Sequence, residues 1–511
     1  MTSDSGAIDL VERFNTVLAI DGAAPAVEFD GKWYSYGEMR AMMQSLQAIL
    51  SAQGAVQGFA VGMLLRNRPA HLAAELAVIM SGYRAVTINP MLPSAPLRED
   101  LEQLRLPVLI ADEQDWQSST VSEAAQKTGS VGISISTRDG KLAVSIVNGL
   151  ERRTQSDYRE TMPGVAIEML SSGTTGKPKR INLALRALSQ SLYTAAKAES
   201  RDVRKVELRS SVQLQWLPLV HVAGIWNGMY ALYNGRRLAL LEKFDVDKWH
   251  ALLVRHRPRF ANFPPSALRM ILERNFPKED FSSLIAIRTG TAPLDHQLAT
   301  AFEERYGIPV LEAYGATEFA GGVAGWSLED YRKYGKDKRR SVGRANAGVE
   351  LRVVDRETFE ILPTGQQGLL EVRTKQIEDG LRWVRTTDLA SLDGEGFLYI
   401  HGRADNAIIR GGFKIMPDHV ESVLRAHPAV YEVSVVGLRD ERLGQVPVAA
   451  LQLQPGAPQP SNEELQQFLR TRLKPYEIPT AFAVVTEMPR TPSMKISQPA
   501  IAALFQTRVA S

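Results

Sequence analysis

The chain has 511 residues, of which 44% are hydrophobic and 23% charged, an ordinary composition for a globular protein with two or more domains. Its net charge of +3 is too small to favour nucleic acid or an anionic membrane surface as a partner. There is no cysteine, which excludes disulfides, cysteine-ligated zinc and a cysteine nucleophile. We expect a cytoplasmic protein without integral membrane association, because neither a membrane-length apolar run nor a secretory signal is visible.

Short apolar runs and helix-like stretches alternate along the first two thirds of the chain. Strands are predicted at Val61–Leu65, Ala85–Asn89, Pro107–Ala111, Val165–Leu170 and Ile308–Tyr314. Helices are predicted over a stretch that ends near Gly82, over Ala184–Ala198 and over His296–Tyr306. This alternation predicts layered α/β architecture, with ligands beyond the carboxyl ends of the strands.

The composition changes after Gly402, where a compact mixed pattern begins. Its predicted elements are a helix at Pro417–Ala426, strands at Tyr431–Gly437 and Pro447–Gln454, and a helix at Asn462–Leu473. The predicted fold class is therefore α/β, with a large layered domain over residues 1–404 and a small, mobile α+β domain over residues 405–511.

The segment Ser171–Lys179 reads Ser-Ser-Gly-Thr-Thr-Gly-Lys-Pro-Lys and directly follows a predicted strand. Its glycines allow close backbone approach, and its hydroxyls and lysines supply donors and positive charge, which suits a polyphosphate. It is not the common P-loop, since Pro178 follows Gly176-Lys177. An ordinary Gly/Ser/Thr loop is the alternative.

Six further motifs follow this loop in an order that resembles one known family. They are Leu217–Gly224, Gly290–Leu294, Glu312–Glu318, Thr386–Asp388, Gly402–Asp405 and Pro489–Lys495. Together they resemble the adenylate-forming superfamily of acyl-CoA synthetases, peptide-synthetase adenylation domains and luciferases, over nearly the whole chain.

The resemblance implies a two-step ligase that uses ATP, Mg²⁺ and coenzyme A. A carboxylate attacks the α-phosphate of ATP to give an acyl-adenylate and pyrophosphate, and a thiol then displaces AMP. Lys495 matches the family's catalytic lysine, Glu318 its magnesium ligand and Thr317 an α-phosphate contact. The residues matching the phosphate-holding loop are Ser171, Thr174, Thr175 and Lys179.

The same resemblance implies an adenosine site. Asp388 and Arg403 match the ribose-binding residues, although each by itself could be a turn residue or a surface ion pair. Tyr314 on one side of the base, and the strip of Gly290, Thr291 and Ala292 on the other, would enclose adenine.

His221 is expected to line the acid pocket or gate the thiol tunnel, with a structural histidine as the alternative. The predicted pocket residues are Val222, Ala223, Gly224, Trp226, Phe263 and Gly315. Small and apolar residues at these positions predict a bulky apolar acid, which could be aryl, alicyclic or fatty. Because no basic residue can be assigned to an amino group or second carboxylate of the substrate, an amino acid is less expected.

The resemblance also implies that the small domain rotates about a hinge at Asp405 between the two half-reactions. Gly411 and Gly412 match the segment that lines the coenzyme A tunnel, and a simple turn is the alternative.

Three glycines usual in the family are replaced here, by Arg180, Thr387 and Met494. Arg180 and Met494 are expected near the polyphosphate path, where they could obstruct ATP, or where Arg180 could instead bind phosphate. This leaves three alternatives to the complete ligase: an enzyme that only thioesterifies a preformed acyl-adenylate, transfer to a carrier protein, and a catalytically silent adenylate binder.

Overall fold

The structure is a computed structural model that describes residues 9–138, 140–170, 179–199, 203–290, 292–377, 382–491 and 495–506, with backbone alone at 198, 317 and 506. Within these ranges the α/β class predicted from the sequence is confirmed, and the strands form five sheets. No helix in the described part of the chain has the length and apolar composition required to cross a membrane.

A seven-stranded sheet forms the first part of the chain, in the order β7-β6-β5-β3-β4-β8-β9. Its strands are β3 (Ala60–Leu64), β4 (Arg84–Ile88), β5 (Val108–Asp112), β6 (Val131–Arg138), β7 (Lys141–Ile146), β8 (Val165–Leu170) and β9 (Arg180–Ala184). The two edge strands are antiparallel to their neighbours and the inner strands are parallel. The sequence did not predict β9, which begins at the end of the glycine-rich loop.

Two further sheets have parallel inner strands and antiparallel additions. One has the order β10-β11-β1-β2 and the other β12-β13-β14-β15-β16. The first comprises β1 (Pro25–Phe29), β2 (Lys32–Ser35), β10 (Val212–Gln215) and β11 (Arg237–Leu240). The second comprises β12 (Phe260–Phe263), β13 (Ala286–Thr289), β14 (Val310–Ala316), β15 (Gly321–Gly325) and β16 (Arg344–Ala345).

The two remaining sheets lie later in the chain and are mainly antiparallel. One contains β17 (Val349–Val354), β18 (Gly368–Thr374), β19 (Val384–Leu392) and β20 (Leu398–Arg403). The other contains β21 (Ile408–Arg410), β22 (Phe413–Ile415), β23 (Val430–Asp440), β24 (Gly444–Leu453) and β25 (Ala481–Val485), with β25 parallel to β24.

The helices cover the sheets and pack their apolar faces against them. They are α1 (Leu10–Ile20), α2 (Tyr36–Ala52), α3 (Pro69–Met80), α4 (Ser94–Leu104), α5 (Glu113–Trp116), α6 (Ser119–Thr128), α7 (Leu185–Glu199), α8 (Val222–Tyr233), α9 (Val246–His256), α10 (Pro265–Arg274), α11 (His296–Tyr306), α12 (Leu328–Tyr334), α13 (Pro417–Arg425), α14 (Asn462–Arg470) and α15 (Gln498–Gln506). Side-chain caps explain several starts: Ser35 forms a capping box with Glu38, and Asp295 accepts from the Gln297 amide.

The part of the chain after Asp405 has apolar clusters of its own. One joins α13 and α14 to the sheet through Ile415, Val420 and Leu465, and a second includes Met488 and Ile501. The boundary between residues 404 and 405 stays a prediction.

Helix α3 is buried over its whole length and contains one acid, Glu75. Neither carboxyl oxygen of Glu75 has a hydrogen-bond partner. Burial raises the pKa of this carboxyl well above its ordinary value, so Glu75 is a neutral acid in the folded protein.

We expect Glu75→Met to raise the free energy of unfolding by about 1–3 kcal/mol, because an unsatisfied polar group is removed from the interior. In the unsubstituted protein, folding raises the pKa of Glu75. The free energy by which Glu75 destabilises the folded state therefore grows as the pH rises above about 4.3, the pKa of a glutamate in an unfolded chain. The gain should therefore be larger at pH 8 than at pH 5 in urea unfolding. The matched control is Glu304→Met, on the exposed side of α11. A pH-independent gain, or a loss of stability, would contradict this account.

Candidate active site

The glycine-rich loop connects β8 to β9, and its Ser171, Thr174 and Thr175 lie outside the described residues. Lys179 is exposed at the end of this loop. Thr291 and Met494 also lie outside the described residues, so the expectations for these positions stay predictions.

Arg180 is engaged by an acidic partner that the sequence did not indicate. Its guanidinium donates to both carboxylate oxygens of Asp100 on α4, at 2.9 and 2.8 Å, and to the Thr87 carbonyl at 3.2 Å. Its Nη2 thus contacts both oxygens of Asp100, and its Nη1 donates to the Thr87 carbonyl. The side chain is therefore held against α4 and the end of β4, and its expected place beside the polyphosphate path stays a prediction.

Tyr314, Asp388 and Arg403 meet where β14 ends beside the β19–β20 pair. Asp388 and Arg403 are register partners across the two strands, and the Arg403 Nε lies 4.0 Å from Asp388 Oδ1. The Tyr314 hydroxyl donates to Asp388 Oδ2. Burial raises the pKa of Asp388, whereas the Tyr314 hydrogen bond and the Arg403 charge oppose that rise. These three predicted nucleoside-binding residues thus form one cluster.

Lys495 lies in the same cleft, close enough to His221 and Arg403 to affect their electrostatics. Burial lowers the pKa of Lys495, and the Arg403 charge lowers it further. Burial also lowers the pKa of His221 to about 4, with a contribution from the Lys495 charge. His221 is therefore a neutral imidazole at physiological pH, at the N-cap of α8.

The described residues next to Lys495 are held by two contacts. The Thr491 amide donates to the Lys495 carbonyl at 2.7 Å, and Arg490 forms an ion pair with Glu432 on β23 at 2.6 Å. Such contacts restrict where the lysine can point.

Glu318 is exposed in a short turn after β14. Its charge contributes to the pKa values of both Asp388 and Arg403, so it belongs to the same cleft. An exposed carboxylate suits a hard divalent cation such as Mg²⁺. The side chain of the neighbouring Thr317 lies outside the described part of the structure.

Helix α8 presents Ala223 and Trp226 in a partly exposed stripe, whereas most of its other positions are buried. The nearby strands carry small residues. A Cβ on Gly290 would lie 2.9 Å from the Ala313 carbonyl, and one on Gly315 2.5 Å from the Gly321 carbonyl. At both positions the neighbouring backbone leaves no room for a side chain. Val222 is half-buried and packs against the hydrophobic core that contains Ile225 and Met229 of the same helix.

Two predicted pocket residues have roles in packing. Phe263 is buried in the core on the other face of its sheet and packs edge-on against Trp249 at 4.7 Å. Gly224 is buried, and a Cβ there would lie 2.0 Å from the Pro218 carbonyl. A glycine is therefore required there for packing of the turn before α8, and its place in an acid pocket stays a prediction.

Asn67 was not predicted as a site residue, yet its hydrogen bonds hold the segment before His221 in place. Its amide nitrogen donates to the carbonyls of Trp216 (2.9 Å), Leu217 (3.1 Å) and Leu241 (3.2 Å), and its oxygen accepts from the Leu219 amide (2.8 Å). Asn67 follows β3, at the carboxyl end of a parallel strand. Because ligand sites lie beyond the carboxyl ends of such strands, a polar residue at this position could have been recognised in the sequence as a candidate site residue.

Glu312 was also missed. It is buried on β14, where its carboxyl accepts a hydrogen bond from the backbone amide of Leu294. Burial raises the pKa of Glu312 to about 8, and this hydrogen bond opposes the rise. The loop from Gly290 to Leu294 is thus attached to the strand that carries Tyr314.

Asp405 forms a two-pronged ion pair with Arg403, with both contacts at 2.9 Å. Beyond it, Gly411 and Gly412 form the exposed tip of the β21–β22 hairpin, with φ values of +55° and +87°. Both values are left-handed, which matches a tight two-residue hairpin turn. Ile409 and Phe413 beside the tip are 46% and 56% exposed. The structure therefore brings Lys495 into the cleft, and leaves this glycine pair at the surface.

Comparison with known proteins assigns the family. The profile of the AMP-binding enzymes matches residues 15–381, and that of the AMP-binding enzyme C-terminal domain matches residues 419–495. The chain belongs to the AMP-binding enzymes. The adenylate-forming resemblance and the assignment as an acid–thiol ligase are thereby confirmed.

Among similar curated proteins is a 4-coumarate–CoA ligase-like protein from Oryza sativa subsp. japonica, 28% identical over 96% of this chain and 90% of its own length. Another is an indoleacetate–CoA ligase from Aromatoleum aromaticum, 28% identical over 96% of both chains. The solved o-succinylbenzoate CoA synthetase of Bacillus subtilis, in complex with ATP and magnesium ion, is 25% identical with a TM-score of 0.75, over 95% of this chain and 98% of that one. The expected use of ATP, Mg²⁺ and coenzyme A is confirmed by these relatives.

We expect Asn67→Ala to raise the KM for the acid at least several-fold, because the segment before His221 loses its attachment, and to leave the KM for ATP nearly unchanged. Steady-state kinetics with each substrate varied in turn measures both constants. The matched control is Asn234→Ala, which removes a buried amide at the other end of α8 and should cost stability only. Equal changes in both KM values would refute a positioning role for Asn67.

Proposed function

We propose that this protein is an AMP-forming CoA ligase for aryl carboxylic acids. The observation that carries the proposal is the convergence of Lys495, His221, Arg403, Asp388 and Tyr314 in one cleft, beside a floor of small residues. The named substrates of the curated relatives, coumarate and indoleacetate, are aryl acids, and they support this class over alicyclic or fatty acids.

In the proposed first step, the acid carboxylate attacks the α-phosphate of ATP. Lys495 would lie between the acid and the α-phosphate, where its charge offsets the negative charge that both reactants bring together. Asp388 would accept the ribose hydroxyls, Arg403 would make a second ribose contact, and Tyr314 would lie against adenine. Magnesium held by Glu318 would neutralise phosphate charge.

The phosphate loop, with Ser171, Thr174, Thr175 and Lys179, is proposed to hold the β- and γ-phosphates, and Thr317 the α-phosphate. Thr291 and Ala292 would complete the adenine strip. In the second step the thiol of coenzyme A attacks the acyl carbon and AMP leaves. His221 has a lowered pKa, so it stays uncharged and would line the thiol path without repelling Lys495. Rotation about Asp405 would bring Gly411 and Gly412 to the thiol.

The complete ligase is favoured over an enzyme that only thioesterifies a preformed adenylate. That alternative depended on Arg180 and Met494, and Arg180 is engaged by Asp100. Transfer to a carrier protein and a cytoplasmic location stay predictions.

The direct test incubates the protein with ATP, Mg²⁺, coenzyme A and each of three aryl acids: coumarate, indoleacetate and 2-succinylbenzoate. We expect equimolar AMP and acyl-CoA from at least one related aryl acid, measured by mass spectrometry. Release of neither product across a wider aryl panel would contradict the proposed function.

We expect Lys495→Ala to slow adenylation by about 10²–10³-fold, the usual cost of losing one transition-state donor. Thioester formation from synthetic acyl-adenylate should be largely retained, because the proposed rotation withdraws Lys495 before the thiol attacks. Pyrophosphate release and thioester formation are measured separately, with the exposed Lys278→Ala as control. Equal losses in both half-reactions would remove the assignment of Lys495 to the first.

The hinge proposal is tested with Asp405→Pro, because proline fixes φ near about −65° at a position that must change its dihedrals. One half-reaction should fail while the other continues. Asp405→Ala is the control, since it removes the ion pair with Arg403 and keeps the torsional freedom. If the proline variant runs both half-reactions as the alanine variant does, the hinge lies elsewhere.

A further inference from the structure

The β12–β13 strand pair turns two polar side chains away from the buried core of its sheet. Asn262 pairs with Arg288, and Arg288 pairs with Leu311, across the parallel strands. Ile287, next to Arg288, belongs to the core on the other face, so Arg288 points to the face that bears Gly290 two residues later. Phe263, adjacent to Asn262, is likewise in that core, and the two polar residues therefore share the face of the acid pocket.

Helix α8 is joined to this face by a side-chain hydrogen bond. The Asn262 amide donates to Asn227 Oδ1 at 2.9 Å, which joins β12 to α8. Asn227 lies one turn after Ala223, to whose carbonyl it donates at 2.7 Å, and next to Trp226. Two residues of extended chain separate Gly290 from Arg288 by roughly 6.6 Å, which places the small residues at Gly290 next to these polar groups.

Among the described residues, Arg288 and a second arginine contact the same carboxylate. Arg288 lies 3.4 Å from Glu199, and Glu199 is also bound by Arg236 at 2.6 Å. Two guanidinium groups therefore share one carboxylate. The Arg288 side chain is 43% exposed, against 20% for Arg236, so its donors remain more accessible. The Phe260 ring, 4.7 Å from its guanidinium, supports the group in place.

Resting on the proposed ligase function, we propose that Arg288, with Asn227 and Asn262, binds a second anionic group at the far end of the acid. The accepted substrates are then aryl dicarboxylates, activated at one carboxyl and held at the other. Arginine presents paired donors that match a carboxylate. This assigns the basic residue that sequence reasoning could not place.

The test compares 3-(4-carboxyphenyl)propanoate with its uncharged carboxamide, 3-(4-carbamoylphenyl)propanoate, which has nearly the same size. The wild type should prefer the diacid by about 10–100-fold in kcat/KM, the range for a hydrogen bond to a charged group. Arg288→Gln should abolish this preference mainly through KM, and Arg288→Lys should retain part of it. The control is Arg274→Gln, an exposed arginine on α10, which should leave the preference intact.

Calorimetry with the two matching acyl-sulfamoyl adenosines repeats the comparison without turnover. A diacid preference in binding that Arg288→Gln removes supports the proposal, even if no acid yields AMP and the ligase function fails. Equal affinity of the wild type for both analogues, no binding of either, or an unchanged preference in Arg288→Gln overturns it. Turnover of neutral aryl acids with no diacid preference overturns this inference alone and leaves the proposed function standing.

Discussion

The positive charge of a buried lysine beside an arginine is electrostatically unfavourable until an anion binds between the two side chains. Burial and the neighbouring Arg403 both lower the pKa of Lys495, because each disfavours its charged form. The surrounding contacts maintain this arrangement: the turn of Lys495 is closed by Thr491, and Arg403 is paired with Asp405. A phosphate or carboxylate that enters the cleft relieves the repulsion, so part of the binding free energy for anionic reactants is built into the fold.

The neutrality of His221 follows from the same constraint. A third cation beside Lys495 and Arg403 would add repulsion at the point where two anionic reactants must meet. Burial prevents this by lowering the pKa of the imidazole to about 4. Two buried polar residues hold segments next to the cleft. Asn67 binds the segment before His221, and Glu312 binds the backbone amide of Leu294.

The sequence predicted the parts of the fold that depend on local pattern. Apolar runs located β3, β4, β5 and β8, and the motif order located the residues of the nucleotide cleft. Side-chain direction was not predictable in this way, because it depends on strand register. Phe263 and Asn262 are neighbours in the chain, yet only Asn262 faces α8. Arg180 likewise required its partner, Asp100, which is distant in sequence. Strand β9 was missed because its five residues follow a loop motif that is typical of a helix start.

The hairpin at Gly411 and Gly412 has an energetic consequence. Ile409 and Phe413 leave apolar surface in water next to the two-glycine tip. Covering that surface would contribute about 25 cal/mol for each Å² removed from water. If the proposed rotation about Asp405 buries the tip, this burial would stabilise the rotated orientation of the small domain. A smaller free-energy difference between the two proposed orientations would then let reactants of modest affinity shift the population from one to the other.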